Sequence, residues 1–178
     1  MSVYYTTKDI RSNLLSQHVL KLKKHRKYAV PLAWAMTLCI KHRFKKLLKS
    51  DILIPAPASK ETLAERGYNQ AEELASLVNK YLNNRIPCRT NILEKIKHIS
   101  MHGLSRTERK LLVRGMYRAV STLNEKSILL IDDTCTTGFT ISECSKILKG
   151  AGASEVNALV AGRTKLRTEL NDDDQILM

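Results

Sequence analysis

The chain has 178 residues, of which 43% are hydrophobic and 26% charged, a composition typical of soluble globular domains. It carries 30 Lys and Arg against 17 Asp and Glu, and the resulting net charge of +13 favours polyanionic partners such as nucleic acids or phosphorylated small molecules. The four cysteines lack metal-ligand or C-x-x-C spacing and the longest apolar run, of about 13 residues, contains a proline, which excludes a zinc cluster and a membrane-spanning helix.

The first 50 residues are predicted to form a helical N-terminal segment. From Pro31 to Lys49 the sequence PLAWAMTLCIKHRFKKLLK places apolar side chains near one helix face and Lys and Arg side chains on the other. Pro31 suits the first turn of this helix. We expect an amphipathic helix that packs on the domain with its basic face in solvent, and the alternative is a helix lying on a membrane surface.

Strand patterns alternate with helix patterns along the rest of the chain. Strands are predicted at residues 51–57 (DILIPAP), 127–133 (SILLIDD) and 155–162 (EVNALVAG), with a further candidate at 90–96 (TNILEKI). Helices are predicted from about Asn69, from Ser105, where Ser105 and Glu108 have capping-box spacing, and from Thr140. This alternation is typical of an α/β fold with a mostly parallel sheet flanked by helices, here in a core of residues 51–164. The acidic tail, 165–178, is expected to be poorly ordered.

The stretch ILLIDDTCTTGFT, residues 128–140, places two carboxylates at the end of a strand that is expected to be buried. The amides at the start of the following helix, together with Gly138 and the threonine hydroxyls, are suited to bind a phosphate group. The carboxylates of Asp132 and Asp133 would repel a phosphate, but they accept hydrogen bonds from sugar hydroxyls and hold Mg²⁺ through its water molecules. The pattern therefore indicates a sugar phosphate with a metal.

The acid pair has three other interpretations. A Walker B strand also ends in acids, but the sequence lacks the G-x-x-x-x-G-K-[ST] loop of those nucleotidases. A phospho-acceptor Asp pair is not followed by a threonine-glycine phosphate loop. In the third interpretation the two acids only cap the next helix.

The same stretch resembles the phosphoribosyl-pyrophosphate (PRPP) signature of type I phosphoribosyltransferases. The segment LIPAPASKETLAERGYNQAEELA resembles the P-x-P … RG-[FY]-NQA segment of the ComF family of competence proteins, and GLSRTERKLLVRGMY is similar to a second segment of that family. The resemblance implies a type I phosphoribosyltransferase fold, with a mostly parallel sheet, flanking helices and a small hood to which residues 1–50 would contribute. Many ComF proteins begin with a cysteine-rich zinc module, which we expect to be absent from this chain.

The resemblance also implies roles for particular residues. Asp132 and Asp133 would be the catalytic pair that binds the ribose hydroxyls and, indirectly, Mg²⁺. PRPP would be held by Thr134, Cys135, Thr136, Thr137, Gly138, Phe139 and Thr140. Its pyrophosphate would be held by Pro55, Ala56, Pro57, Ala58, Ser59, Arg66, Ser105, Arg106 and Arg109. Phe139 stands where the signature usually has Ala or Ser, so a narrower or reshaped phosphate pocket is expected.

Three residues of the segment ERGYNQ have alternative interpretations. Arg66 either binds phosphate or is a surface arginine, and Tyr68 either stacks on a nucleobase or packs in the core. Asn69 either contacts the ligand or caps the following helix.

Two functions follow from these features. The first is a Mg²⁺-dependent enzyme that transfers phosphoribosyl groups to or from a nucleobase, linked to DNA uptake in natural transformation. The second is a non-catalytic PRPP- or nucleotide-sensing module that binds single-stranded DNA or an uptake partner through its basic surface. The basic excess favours the second, and so do Met101 and Leu112, which stand where the family often has Gln and Asn. The intact Asp132-Asp133 pair and the threonine turn favour the first. Since the sequence shows no signal peptide, we expect a cytoplasmic protein without membrane insertion.

Overall fold

The computed structural model describes residues 4–5, 14–96 and 115–164 of the chain. The strands are β1 (Tyr4–Tyr5), β2 (Ile52–Pro55), β3 (Leu93–Lys95), β4 (Tyr117–Ala119), β5 (Ser127–Cys135) and β6 (Glu155–Thr164). The helices are α1 (Leu14–Leu22), α2 (Ala29–His42), α3 (Lys60–Arg66), α4 (Gln70–Tyr81) and α5 (Phe139–Gly150). No helix in these ranges is long and apolar enough to cross a bilayer.

Four strands form a parallel sheet in the order β1-β6-β5-β2. β5 lies between β6 and β2, and its residues Ile128 to Ile131 are completely buried. Successive side chains of a strand point to opposite faces, so a run of four buried residues requires cover on both faces of the sheet. The continuous apolar run in the sequence is therefore explained, and the predicted α/β fold with a parallel sheet is confirmed.

Each face of the sheet has its own hydrophobic core. On one face Leu129 and Ile131 share a cluster with buried residues of α1, α2 and α4, including Leu32 and Leu74. On the other face Ile128 and Leu130 pack with buried residues of α5, β3 and β4. Full burial of one such side chain stabilises the fold by about 1.5–3 kcal/mol. The helices of residues 14–42 are thus part of the same core as the sheet.

Some elements differ from the sequence prediction. The helix expected to run to Lys49 ends at His42, and a short 3₁₀ helix, Lys45–Lys49, follows it. α3 was not predicted, and it ends at Arg66, because the next residue, Gly67, has a φ of +75° that ends a helix without strain. The candidate strand within 90–96 does form, but it pairs antiparallel with β4 in a separate two-stranded ribbon. The helix predicted from Ser105 lies outside the described residues, and so does the acidic tail.

Candidate functional site

A cavity of about 320 Å³ opens beside the carboxyl ends of β2 and β5, which are neighbours in the parallel sheet. Ligands of open parallel sheets bind at this edge. Of the residues predicted to bind pyrophosphate, the cavity is lined by Ala56, Pro57, Ala58, Ser59 and Arg66. Of those predicted to bind ribose and phosphate, it is lined by Asp132, Asp133, Thr134, Thr136 and Thr140. The fold thus brings two distant stretches of the chain to one cavity.

The other predicted site residues lie elsewhere. Four residues of the same turn and helix start are not among the described residues that line the cavity: Cys135, Thr137, Gly138 and Phe139. Pro55 lines a neighbouring cavity of about 610 Å³ between α3 and β3. Outside the described residues lie Ser105, Arg106, Arg109, Met101 and Leu112.

The two carboxylates belong to β5 itself, which continues beyond them to Cys135. Asp132 faces Val160 of β6 in the strand register, and the backbone N–H of Asp133 donates a hydrogen bond of 2.8 Å to Asp132 Oδ1. Burial and the adjacent Asp133 carboxylate raise the pKa of Asp132 well above its usual value of 3.8. Two acids held this close favour a ligand that donates hydrogen bonds or carries a cation.

The turn after β5 is short, and Gly138 gives it its shape. Gly138 has a φ of +76°, which side-chain-bearing residues rarely adopt, and it is the N-cap of α5. Its N–H donates a hydrogen bond to the Cys135 thiol, and burial raises the pKa of that thiol. The first amides of α5 have no partner within the helix, so they are available to an anion.

The Phe139 side chain packs against the core cluster between α5 and the sheet. It therefore fills space inside the protein rather than in the cavity, and the pocket narrowing expected from Phe139 is not observed.

Two threonine hydroxyls of the cavity differ in their partners. Thr134 Oγ1 is buried and has no hydrogen-bond partner among the described residues. Thr140 is hydrogen-bonded to the Tyr117 side chain of β4, whose hydroxyl pKa is raised by burial. A buried hydroxyl without a hydrogen-bond partner lowers the stability of the fold. A ligand in the cavity would supply the hydrogen bond that Thr134 lacks.

Asn69 connects α4 to the loop that follows β2. Its Oδ1 accepts a hydrogen bond of 3.0 Å from the N–H of Ala71, and its Nδ2 donates one of 3.0 Å to the carbonyl oxygen of Ala56. The helix-cap interpretation of Asn69 is confirmed. The same side chain also holds the loop that lines the cavity.

Tyr68 packs in the core rather than facing the cavity. It is only 8% exposed, its hydroxyl donates a hydrogen bond to the carbonyl oxygen of Leu22, and the Arg26 guanidinium lies 5.4 Å from its ring centroid. This arrangement supports the packing interpretation and ties α1 to the segment before α4.

Sequence reasoning missed five polar residues that line the cavity: Lys23, Thr62, Gln70, Lys95 and Tyr117. Gln70 belongs to the quoted NQA motif, and Lys23 to the basic run at residues 21–27, so both had a signal. Lys95 and Tyr117 face each other across the β3–β4 ribbon. Lys95 lies in the candidate strand 90–96 and Tyr117 ends the segment GLSRTERKLLVRGMY, but their pairing had no signal, because β4 was not predicted.

Comparison with known families gives one match over most of the chain. Residues 62–177 match the phosphoribosyl transferase domain. The matched range begins within α3 and includes α4, the ribbon, β5 and the turn that follows it.

Comparison with curated proteins finds relatives whose names refer to competence and DNA utilization. Competence protein F of Haemophilus influenzae is 32% identical over 118 residues, 64% of this chain and 51% of that protein. Competence protein ComFC of Streptococcus pneumoniae is 33% identical over 112 residues, 62% of this chain and 47% of that protein. DNA utilization protein YhgH of Escherichia coli is 26% identical over 149 residues, 83% of this chain and 65% of that protein. The chain spans about half the length of the first two.

Proposed function

Because the chain belongs to the phosphoribosyl transferase domain family, we propose that it binds PRPP or a related ribose phosphate with Mg²⁺ and transfers the phosphoribosyl group to or from a nucleobase. Its relatives, named for competence and DNA utilization, support the likeness to the ComF family and a role in DNA uptake. One observation carries the proposal. The acid pair, the threonine turn and the loop after β2 line one cavity at the ligand-binding edge of the sheet.

Each part of the cavity suits one part of the ligand. The acid pair accepts hydrogen bonds from the ribose hydroxyls, and the orphaned Thr134 hydroxyl gains a partner. The amides at the start of α5, with the hydroxyls of Thr136 and Thr140, hold the 5′-phosphate. The loop of residues 55–59 and Arg66 lie at the pyrophosphate. The roles of Ser105, Arg106 and Arg109 stay predictions from the resemblance.

The donor set fits Mg²⁺. The described residues contain no group of three or more His, Cys, Asp or Glu side chains that could hold a metal alone. Mg²⁺ typically uses one or two carboxylates together with water and substrate phosphates, which matches Asp132 and Asp133 beside a bound pyrophosphate. The ion would supply neutralisation of the charge on the pyrophosphate as it leaves.

Turnover requires that a ring nitrogen of the nucleobase attack the anomeric carbon while pyrophosphate departs. The anomeric carbon becomes oxocarbenium-like, and the carboxylates that hold the ribose hydroxyls keep it oriented toward the incoming nitrogen. The negative charge of the pair also favours the positive charge that develops on the sugar.

The experiment is to incubate the protein with Mg²⁺ and PRPP, with and without a panel of nucleobases, and to measure pyrophosphate release. We expect release that depends on a base and falls at least ~10-fold in Asp133→Asn, since a charged hydrogen-bond acceptor for the ribose is lost. Asp51→Asn is a matched control, because Asp51 binds Ser127 at the opposite end of β5. If the protein binds PRPP but releases no pyrophosphate with any base, the transferase activity is contradicted and the sensing function is favoured.

A specific observation favours DNA binding as a second candidate function. Residues 21–49 contain ten Lys and Arg, all of them exposed, and no Asp or Glu. Trp34 on α2 is 52% exposed, and exposed aromatic rings stack on unpaired bases. A ribose-phosphate sensor that contacts single-stranded DNA through this surface would use both features.

A further inference from the structure

Lys95 is a cation of the cavity that lies outside the quoted motifs. It ends β3 and faces Tyr117 of β4, and its Nζ lies 5.8 Å from the centroid of the Tyr117 ring. The side chain is half-buried, and it lines both the 320 Å³ cavity and its 610 Å³ neighbour. Lys95 therefore stands where the two cavities meet.

The Lys95 ammonium has no ion-pair or hydrogen-bond partner among residues 14–96 and 115–164. The groups that act on it electrostatically are Cys144 of α5, Asp132 of β5, and Glu61 and Arg66 of α3. It thus lies between the acid pair and α3. A half-buried ammonium without an ion-pair or hydrogen-bond partner lowers the stability of the fold, and a bound anion would offset this loss.

The pyrophosphate end of the ligand needs cations that the adjacent loop does not provide. The loop of residues 55–59, Pro-Ala-Pro-Ala-Ser, contains no charged side chain. Described cations that line the cavity are Lys23, Arg66 and Lys95, of which Lys23 is exposed. Lys95 lines the 610 Å³ cavity together with residues of α3, whereas no residue of the turn that suits the 5′-phosphate is among the described residues that line it.

We propose that Lys95 binds the pyrophosphate group of the ligand and so distinguishes PRPP from ribose 5-phosphate, an assignment that rests on the proposed function. The Lys95 ammonium lies over the Tyr117 ring, and the Tyr117 hydroxyl is hydrogen-bonded to Thr140, which also lines the cavity. One residue of the ribbon therefore contacts both the pyrophosphate-binding lysine and the phosphate-binding turn.

The test compares two ligands by isothermal titration calorimetry in the presence of Mg²⁺. Lys95→Met should weaken PRPP binding by roughly 10- to 100-fold, since a charge-assisted hydrogen bond to phosphate is lost. The same variant should bind ribose 5-phosphate within about twofold of wild type, because that ligand has no group at Lys95. Lys95→Arg should retain most of the PRPP affinity, and Lys146→Met, which removes an exposed lysine of α5, should change neither ligand.

The outcomes separate this inference from the proposed function. If Lys95→Met binds PRPP as tightly as wild type, the role of Lys95 is overturned. The role is also overturned if the variant loses affinity for both ligands equally. If that variant does not fold, Lys95→Gln gives the same comparison. Wild-type protein that binds ribose 5-phosphate but not PRPP overturns the role of Lys95 and leaves a ribose-phosphate site. Wild-type protein that binds neither ligand overturns the proposed function as well.

Discussion

Two residues of the cavity are held under conditions that cost stability. Asp132 is partly buried beside a second carboxylate, and Thr134 has a buried hydroxyl without a described partner. Gly138, in the turn beside the cavity, has a left-handed φ that glycine adopts without strain. Local costs of this kind concentrate at functional sites, where a ligand or a required geometry compensates for them. The motif DDTCTTG identified these residues from sequence alone. The costs could not be predicted, because burial and partners depend on β6 and the β3–β4 ribbon.

Thr134→Val tests whether the orphaned hydroxyl serves a ligand. Without ligand, the variant should be as stable as wild type or more stable by up to ~1 kcal/mol, since a buried polar group without a partner is removed. PRPP binding should weaken by about 1 kcal/mol, because one hydrogen bond to the ligand is lost. Urea denaturation and calorimetric titration measure the two quantities. Thr134→Ser keeps the hydroxyl and should bind like wild type, and equal binding by Val and Ser would contradict the assignment.

Gly138→Ala tests the backbone of the turn. An alanine at a φ of +76° should cost about 1–2 kcal/mol of unfolding free energy, because its Cβ is strained in the left-handed region. Gly150→Ala is the matched control, since Gly150 ends α5 without a left-handed φ and has no atom within 4 Å of an added Cβ. That control should be neutral or slightly stabilising. Equal urea midpoints for the two variants would show that the turn is not constrained as described.

The pH dependence of stability tests the burial of Asp132. The Asp132 carboxyl holds its proton more tightly in the folded state than in the unfolded chain, where it has the usual pKa of 3.8. The stability of wild type relative to Asp132→Asn should therefore decrease as pH rises above about 4, until the folded carboxyl is also ionised. Urea midpoints of both proteins between about pH 4 and 8 measure this difference. A difference that stays constant across that range would contradict the raised pKa.

Length and apolar continuity decided which elements could be predicted. β5, α4 and α5 have long, regular patterns, and the sequence located them to within a few residues. β4 has three residues and its partner β3 precedes it by more than 20 positions, so no local pattern marked it. α3 was missed because its seven residues bury no side chain. Because β4 was not predicted, the pairing of Lys95 with Tyr117 beside the cavity was not predicted either.

The Asn69 bridge between α4 and the loop after β2 can be separated into its two bonds. Asn69→Asp keeps the oxygen that caps α4 but removes the amide that donates to Ala56. Asn69→Ala removes both, and it should cost about 0.5–2 kcal/mol of stability through the lost cap. Asn69→Asp should stay within about 0.5 kcal/mol of wild type and still weaken PRPP binding, since the loop loses its tie. PRPP affinity equal to wild type in both variants would show that the tie does not position the loop.

Charge is distributed unevenly over the whole molecule. The helical segment of residues 21–49 carries ten basic side chains without an acid, whereas the acid pair lies in the cavity at the sheet edge. The composition predicted a polyanionic partner, but it could not locate the surface. The match to the phosphoribosyl transferase domain, residues 62–177, does not include this segment. The basic helices therefore belong to the part of the chain for which the family match makes no functional statement.

Salt dependence tests the second function at this scale. If the basic helices neutralise about five phosphates of single-stranded DNA, log Kd should rise with log salt concentration with a slope near 3.5. Fluorescence anisotropy of a labelled oligonucleotide at several salt concentrations measures the slope. A variant with Lys45, Lys46 and Lys49 replaced by Gln should lower it, while Asp133→Asn should leave it unchanged. A flat salt response would contradict electrostatic DNA binding.

The parallel pairing of β2 with β5 has a consequence for how the protein folds. Asp51 and Ser127, at the start of the two strands, are hydrogen-bonded across 76 positions of the chain. Contacts of such long range are late and slow to form, because loop closure costs entropy before any contact repays it. The two walls of the cavity therefore meet only when this pairing is complete. A ribosome-bound chain that has not yet released β5 cannot recognise the ligand, so the ligand cannot template the early steps of folding.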